Sequence, residues 1–496
     1  MRFRTSLIVV TCLISACSVG PNYIRPSIDV PTQYKEANNK NDWKIANPQE
    51  TKDRGYWWTL FNDTELNALE NQLNISNQTI LQAEANYKQA LALVDEARAS
   101  YFPSIAVTAA LTRQKQAPGG GLSVSTTTSS VAAASNGQAH FSTIHNLLFN
   151  ASWEPDIWGS VRRTVEASRA NAQAVAALLA NTRLSAQASL AQFYFELRSL
   201  DNDQKWLNNT IAANQALLKL THNQYKSGVA SLVDIVQAQS QLEAAQAAAI
   251  NNGINRAQFE HAIAVLLGKP PTLFSIPVKS IKLMPPSIPT QIPSLLLERR
   301  PDIAQAERLV AQANAQIGIA IATYYPSLSL TAAGNTQGTG LSHWFSLPAL
   351  SWALGSQVAE TLFDGGLRSA TTAVARANHQ ATIASYRQTV LAAFQDVEDN
   401  LSSLRILNQE SLVLNNAANN ARLALKLTTN QYKAGTIAYA NVVTAQIVAF
   451  AAEKNANDTN GLQMTSAIGL IKALGGSWDM NSDTQTKNSK NNSVKL

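Results

Sequence analysis

Two long stretches of the chain carry apolar side chains at alternating spacings of three and four residues, a seven-residue repeat typical of packed α-helices. One runs from Arg163 to Tyr225, and its counterpart ends at Tyr432. At a rise of about 1.5 Å per residue, roughly 65 helical residues would extend over about 100 Å. Each stretch ends near a glycine, Gly228 or Gly435, and a second helical stretch follows. The pattern therefore predicts two long helical hairpins with glycine-bearing tips.

Elsewhere the spacing between apolar residues changes from about 3.5 positions to 2, which predicts β-strands. Two strands are expected in each half of the chain, at residues 104–114 and 145–153 and at residues 327–336 and 349–358. Each is about ten residues long, the length that crosses a bilayer when tilted, and aromatic side chains lie near the ends. Alternation alone also suits the edge of a soluble sandwich, so the pattern by itself leaves both settings open.

Two shorter helices are also expected. An alanine-rich pattern predicts a single helix from Thr64 to Ser100, with Thr64 supplying the capping oxygen. A second helix should begin at Pro301, which suits a first helical turn, and run to about Ala322. Asp302 adds a favourable negative charge at the positive end of this helix.

The two hairpin tips have nearly the same sequence. LTHNQYKSGVASLVDIVQAQ begins at Leu220, LTTNQYKAGTIAYANVVTAQ begins at Leu427, and ten of these twenty aligned positions are identical. The segment containing Pro103 is likewise echoed by the one containing Pro326. Because self-similarity at a fixed period marks duplicated structural units, the chain is expected to be an internal two-fold repeat.

The N-terminus has the features of an export signal. Residues 1–16 combine early arginines, an apolar run and small residues, and Cys17 follows directly. A small-residue cleavage site that ends on cysteine resembles the lipobox of bacterial lipoproteins, so Cys17 is expected to be acylated, for example with palmitate, and to anchor the chain in a membrane. An ordinary signal with an incidental cysteine is the alternative. Cys12 is the only other cysteine, so no disulfide framework is expected.

The chain as a whole divides into six expected regions. They are a lipoprotein signal peptide at 1–16, an extended N-terminal segment at 17–63, a first repeat at 64–276, a proline-rich linker at 277–300, a second repeat at 301–478 and a disordered polar tail at 479–496.

Composition argues against several functions. The formal net charge of +6 is small for 496 residues, and no basic cluster with interleaved aromatic residues appears, so nucleic acid is not an expected partner. The six histidines show no metal-ligand spacing, and no nucleophile motif or phosphate-binding loop is present. We therefore expect no enzyme activity, no catalytic residues, no metal and no cofactor.

Four strands are too few to close a membrane barrel, which needs at least about eight. An open sheet edge in lipid would leave backbone groups without hydrogen bonds at several kcal/mol each. If the strands cross a bilayer, the chain must therefore oligomerise, and three copies would supply about twelve strands.

These features together resemble the TolC-like outer-membrane efflux protein family, in its lipoprotein branch. The most specific signatures are CSVGPNYIRP from Cys17, RRPDIAQAE from Arg299 to Glu307, and the two tip repeats. The resemblance implies an α+β fold in which long helical hairpins form a trimeric periplasmic α-barrel and four strands per protomer contribute to a shared 12-stranded transmembrane β-barrel. It further implies a lipid-anchored homotrimer in the outer membrane that extends into the periplasm.

The resemblance also implies a function. Such proteins are the exit channels of tripartite pumps, joined through a periplasmic adaptor to an inner-membrane transporter, here expected to be of the RND type. The cargo would be drugs or other small toxic molecules, as in multidrug resistance. A duct for type I protein secretion is one alternative, and a lipid-anchored coiled-coil envelope protein without a pore is another. A recording of channel currents would separate the last from the other two.

Residues of the gate and the docking surface follow from the resemblance position by position. Asp234 matches an acidic residue that pairs with a tyrosine matching Tyr432 to hold the periplasmic entrance shut, which suggests a hydrogen bond between them. The acidic rings found in one branch of the family fall on Asn441 and Thr444, which are uncharged here, so strong cation selectivity at these positions is not supported. The residues expected to dock the adaptor are Lys226, Ser227, Gly228, Val229, Lys433, Ala434, Gly435 and Thr436. Capped helix starts and solvated turns are the simpler alternatives.

Overall fold

The computed structural model describes residues 19–28, 31, 34–36, 56–116, 140–286, 288, 299–338 and 350–476. The expected signal peptide, Cys17 and the tail at 479–496 lie outside these residues, as does most of the second half of the linker at 277–300.

Helices dominate the described chain, which has an α+β fold with one sheet. The α-helices are α1 (Thr64–Ser76), α2 (Gln78–Ala99), α3 (Ser160–Lys226), α4 (Leu232–Leu266), α5 (Pro301–Ala322), α6 (Leu367–Lys433) and α7 (Tyr439–Ala473), with short 3₁₀ helices at Trp57–Phe61 and Pro271–Leu273. The helices α3 and α6 each have 67 residues, and α4 and α7 each have 35. Within the described ranges, no helix has both the length and the apolar character needed to cross a bilayer.

The single helix expected from Thr64 to Ser100 is wrong, because the chain breaks at Asn77 into α1 and α2. The side chain of Asn77 accepts a hydrogen bond from the backbone of Ile80 at 2.9 Å and donates one to the carbonyl of Leu266 at 2.7 Å. A tertiary contact therefore fixes the break, and helix propensity alone could not indicate it. The predicted capping residue is also wrong by one position. The carboxylate of Asp63, not the hydroxyl of Thr64, accepts hydrogen bonds from the first-turn amides.

The four strands form one antiparallel sheet in the order β1–β2–β3–β4. They are β1 (Ser104–Gln116), β2 (His140–Trp153), β3 (Ser327–Gly338) and β4 (Leu350–Ala359), so most extend by a few residues beyond the sequence-based limits. In the register, Val107 pairs with Phe149 and Ala110 with Asn146. The sheet therefore has two different faces.

One face of the sheet is mostly apolar and exposed. Its large side chains include Ile105, Val107, Leu111, Phe149, Trp153, Trp352 and Leu354, all of which are exposed in the single chain. The other face carries small and polar side chains such as Thr108, Asn146, Asn150, Thr331 and Asn335. An exposed apolar face of this extent is not what a soluble sheet presents to water.

The chain divides into two compact units, of which the first combines residues of 1–24, 91–170 and 311–380 and contains the sheet. Within it, Arg163 donates hydrogen bonds to the carbonyls of Val19 and Gly20, each at 3.2 Å, and to the side chain of Asn22 at 3.1 Å. Gly20 has a φ of +94°, and a Cβ there would lie 2.5 Å from the Cα of Gly318. Only glycine fits at position 20, and residues 19–22 are therefore held in one place.

The second unit combines residues of 25–90, 171–310 and 381–496. Its main core packs Leu66 and Leu73 of α1 against Leu190 and Leu197 of α3 and Ile468 of α7, all almost fully buried. This core holds the bodies of the hairpins together.

A buried ion network lies beside this core. Arg198 is fully buried, and its guanidinium contacts Glu65 and Asp201 at 2.7 Å each and the carbonyl of Pro277 at 2.8 Å. Arg256 contacts the second oxygen of Asp201 at 2.8 Å. The network therefore ties α1, α3 and α4 to the first residue of the inter-repeat linker.

One buried carboxyl group has no such support. Glu70 of α1 is fully buried, and neither oxygen has a hydrogen-bond partner among the described residues. Burial raises the pKa of this carboxyl group well above its ordinary 4.5. Between the two pKa values, the folded chain keeps a proton that the unfolded chain has released, so folded stability falls as the pH rises through this interval.

We therefore expect the free energy of unfolding of Glu70→Gln, relative to that of the wild type, to increase as the pH is raised from about 4 to 8. The increase should be on the order of 1 kcal/mol or more. The measurement is the denaturation midpoint of both proteins in detergent across this pH range. Glu96→Gln, at an exposed position of α2, is the control and should follow the wild type. A constant difference between Glu70→Gln and the wild type would show that Glu70 is already charged in the folded protein.

Candidate functional site

The two hairpin tips have the same backbone geometry. At the first tip, Gly228 has a φ of +75° and its amide donates to the carbonyl of Tyr225 at 2.9 Å. At the second, Gly435 has a φ of +74° and its amide donates to the carbonyl of Tyr432 at 2.9 Å. Such left-handed turns favour glycine, which explains why both tips carry it. The expected docking residues at both tips are exposed, and Val229 exposes 71% of its surface.

Tyr432 lies in a small core just behind the tips. Its side chain is buried with Leu217 of α3, Ala238 of α4, and Tyr439 and Val442 of α7. The rings of Tyr432 and Tyr439 have centroids 5.2 Å apart. This cluster joins the first hairpin to the second within one protomer.

The hydroxyl of Tyr432 forms a hydrogen bond with the hydroxyl of Thr221, with the oxygens 2.9 Å apart. Thr221 in turn donates to the carbonyl of Leu217 at 3.0 Å. Because a hydroxyl has a single hydrogen to donate, Tyr432 is the donor to Thr221. Sequence reasoning did not single out Thr221, although LTHNQY and LTTNQY share this threonine in both repeats.

The suggested hydrogen bond between Asp234 and Tyr432 is not formed in the single chain. The carboxylate of Asp234 accepts from the amide and hydroxyl of Ser231, both at 2.9 Å, in a reciprocal cap at the start of α4. The reason is local geometry, because a residue three positions after an N-cap serine is placed to close a capping box.

Asp234 is nevertheless close enough to influence the tyrosines electrostatically. Burial raises the pKa of Tyr432, and the Asp234 charge raises it further, against the opposing effect of Thr221. Burial, Tyr432 and Asp234 together raise the pKa of Tyr439 to about 12. Both phenols therefore remain neutral hydrogen-bonding groups at physiological pH.

The two uncharged positions expected at the gate, Asn441 and Thr444, are exposed, and their described hydrogen bonds are local to the second tip and α7. Thr444 donates to the carbonyl of Ala440 in its own helix at 3.0 Å, and the amide of Asn441 bonds to the carbonyl of Ala438. A different polar pair joins the hairpins, since Gln446 of α7 donates to Asn214 of α3 at 2.8 Å.

A groove of about 680 Å³ runs between α3 and α4 behind the first tip. Its lining includes Leu218, His222, Ile235, Val236 and Glu243. Val236 is 60% exposed, so the groove offers apolar surface next to the expected docking residues.

The described residues contain no cluster of histidine, cysteine or carboxylate side chains that could hold a metal ion. The features relevant to function are, in the second unit, two exposed tips with the hydrogen-bonded Tyr432 beside them and, in the first unit, a sheet with one apolar and one polar face.

Comparison with known proteins assigns the family. The family model "Outer membrane efflux protein" matches residues 69–269 and 292–476. The chain therefore belongs to the outer membrane efflux protein family, as the sequence resemblance implied. This is a family of efflux proteins and not of enzymes.

Individual relatives extend over nearly the whole chain. The chain is 26% identical over 475 residues to "Cation efflux system protein CusC" of Escherichia coli O6:H1, covering 95% of this chain and 97% of that protein. It is 26% identical over 480 residues to "Outer membrane protein OprJ" of Pseudomonas aeruginosa, covering 96% of each. The solved structure of the outer-membrane channel OprN is similar with a TM-score of 0.80 at 26% identity, over 93% of this chain and 100% of that one.

Proposed function

We propose that the protein is the outer-membrane exit channel of a tripartite efflux pump and that it is gated at its periplasmic end. The energy for export would come from an inner-membrane transporter. The observation that carries this proposal is the sheet with an exposed apolar face, in a chain of the outer membrane efflux family that continues into two long helical hairpins.

The strands support a shared barrel. Four strands of 10 to 14 residues are long enough to cross a bilayer but too few to close a barrel. Three copies would provide a 12-stranded barrel with the apolar face towards lipid and the polar face towards water. The long hairpins would then form the periplasmic tunnel of a homotrimer.

The tips support the gate and the docking surface. Tyr432 joins the two hairpins of a protomer through Thr221, and Asp234 fixes the start of α4 nearby. Movement of one hairpin past the other must break the Tyr432–Thr221 hydrogen bond. The exposed residues at both tips, with the groove behind the first, would receive a periplasmic adaptor that links the channel to a transporter of the RND type.

The relatives favour small cargo over protein. The relatives include a cation efflux system protein and an antibiotic efflux pump outer membrane protein. We therefore propose drugs or other small toxic molecules as cargo, with protein secretion as the second candidate. Purification of the channel together with its adaptor and transporter would identify the pump and decide between the two.

Lipid anchoring through Cys17 remains part of the proposal. Its support is the lipobox-like sequence, together with the way Arg163 and Gly318 hold the chain from Val19 to Asn22. Cys17→Ala should abolish labelling by radioactive palmitate, and persistent labelling would assign the lipid elsewhere.

The gate is tested by removing one hydroxyl group. Tyr432→Phe loses the hydrogen bond to Thr221, worth about 0.5–1.5 kcal/mol per protomer. We expect single-channel recordings in planar bilayers to show an open probability several times that of the wild type. Tyr225→Phe is the matched control, because Tyr225 occupies the equivalent place in the first repeat and is 44% exposed. Equal open probabilities for the two variants would show that Tyr432 does not hold the gate.

A further inference from the structure

The apolar face of the sheet ends in two positive charges. Arg113 and Lys115 are exposed. They lie on the same face of β1 as Val107 and Leu111, which is the apolar face. Both side chains lie over the ring of Phe141 on β2, with the Arg113 Cζ and the Lys115 Nζ 5.6 Å and 5.5 Å from its centroid. Aromatic rings attract cations in this way, so the ring holds the two basic groups side by side.

Within the described strands, no acidic residue balances this pair. The four strands contain no aspartate or glutamate, and Arg113 and Lys115 are their only lysine or arginine residues. The sequences that connect the strands, residues 117–139 and 339–349, contain no acidic residue either. The pair is therefore available for an external anion.

The position of the pair along the strands matches the edge of a bilayer. Phe141, beside the basic pair, and Trp153, at the other end of β2, are separated by twelve residues. At about 3.4 Å per residue and a tilt of about 45°, this corresponds to about 29 Å across the membrane, close to the height of the apolar band of outer-membrane barrels. Trp153 lies near the start of α3, so Phe141 marks the edge remote from the helices.

The pair occurs once in each protomer. When Pro103 is aligned with Pro326, the second-repeat residues at the positions of Arg113 and Lys115 are Thr336 and Gly338. The duplication thus provides a strand of the same sheet without the charges. If basic residues were generally required at the membrane edge, both repeats would be expected to carry them.

We propose that Arg113, Lys115 and Phe141 form a binding site for the phosphate-bearing headgroup of a lipid whose acyl chains lie along the apolar face of β1 and β2. Arginine and lysine are the usual partners of phosphate oxygens, and arginine can bind two of them at once. Acyl chains then cover Val107 and Leu111, which a free anion could not do. This inference rests on the proposed function, because it requires the apolar face to lie in a membrane with the helices in the periplasm.

The test uses the full-length protein in detergent, titrated with diphosphorylated lipid A and followed by native mass spectrometry. Arg113→Thr/Lys115→Thr should weaken binding on the order of tenfold or more, since it removes both charge-assisted contacts. Lys88→Thr/Lys426→Thr removes two exposed positive charges from α2 and α6 and should bind as the wild type does. Lipid A without phosphate groups should bind both double variants and the wild type equally weakly.

Three results would overturn the inference. The first is equal binding of diphosphorylated lipid A by the wild type and the Arg113→Thr/Lys115→Thr variant. The second is equal binding of phosphorylated and phosphate-free lipid by the wild type. The third is binding of inorganic phosphate as tight as that of the lipid, which would indicate a site for free anions.

Recordings of wild-type channel currents in the same lipid separate this inference from the proposed function. If the wild type conducts but lipid binding is unchanged in the variant, only the headgroup site is contradicted. If the wild type neither inserts nor conducts, the channel proposal fails and the headgroup site fails with it.

Discussion

Arg198→Ala is expected to lower the free energy of unfolding by about 3–5 kcal/mol. The substitution leaves the buried Asp201 without one of its two arginine partners and removes the partner of Glu65. It also removes the donor to the carbonyl of Pro277, where the inter-repeat linker starts. A buried charge that has lost its partner costs far more than an exposed one, so the effect should exceed that of most substitutions in this chain.

The measurement is the midpoint of denaturation of the detergent-extracted protein. Arg98→Ala is the matched control, because Arg98 pairs with Asp95 on the surface of α2 and both side chains are largely exposed. Such surface pairs contribute about 0–1 kcal/mol. Equal midpoints for Arg198→Ala and Arg98→Ala would show that the buried network does not hold the helices to the linker.

The second large effect is expected in the sheet. Ala109→Arg places a charge near the middle of the apolar face, opposite Leu147, and should cost about 2–4 kcal/mol if that face meets lipid. Ala110→Arg is the control, because Ala110, the next residue along β1, pairs with Asn146 on the polar face. Both alanines are exposed in the protomer, so in water the two substitutions would have similar and small effects.

The readouts are the amount of assembled protein recovered from the outer membrane and its denaturation midpoint in lipid nanodiscs. We expect Ala109→Arg to lose most of the assembled protein while Ala110→Arg assembles and alters the conductance. Normal assembly of both variants would contradict the assignment of the apolar face to lipid.

Regular patterns made much of the fold accessible from sequence. The seven-residue repeat ending at Tyr225 and Tyr432 indicated the long helices, and a change of period near Pro103 and Pro326 indicated the strands. These signals are local, because the side-chain period of a helix or strand follows from its backbone geometry. The family signatures added what the pattern alone could not, namely the setting of the fold in an outer membrane.

Side-chain partners were predicted less well, because they depend on contacts between distant residues. The break at Asn77 requires the carbonyl of Leu266, and nothing in the local sequence indicates that contact. Arg198 occurs in an ordinary helical pattern, and its burial among Glu65 and Asp201 is visible only in three dimensions.

The residues expected at the gate show the same limit. Asp234 and Tyr432 were both drawn from the family resemblance, but the capping geometry at Ser231 engages Asp234 locally. Thr221 then becomes the partner of Tyr432. A threonine shared by both tip repeats was the one sequence signal that could have suggested this.

The number of chains in the detergent-extracted particle tests the central claim most directly. That claim is that the four strands of one protomer complete a closed barrel only with the strands of other copies. Native mass spectrometry should give a particle with the mass of three mature chains. A particle of one or two chains that remains folded and conducts in bilayers would contradict it.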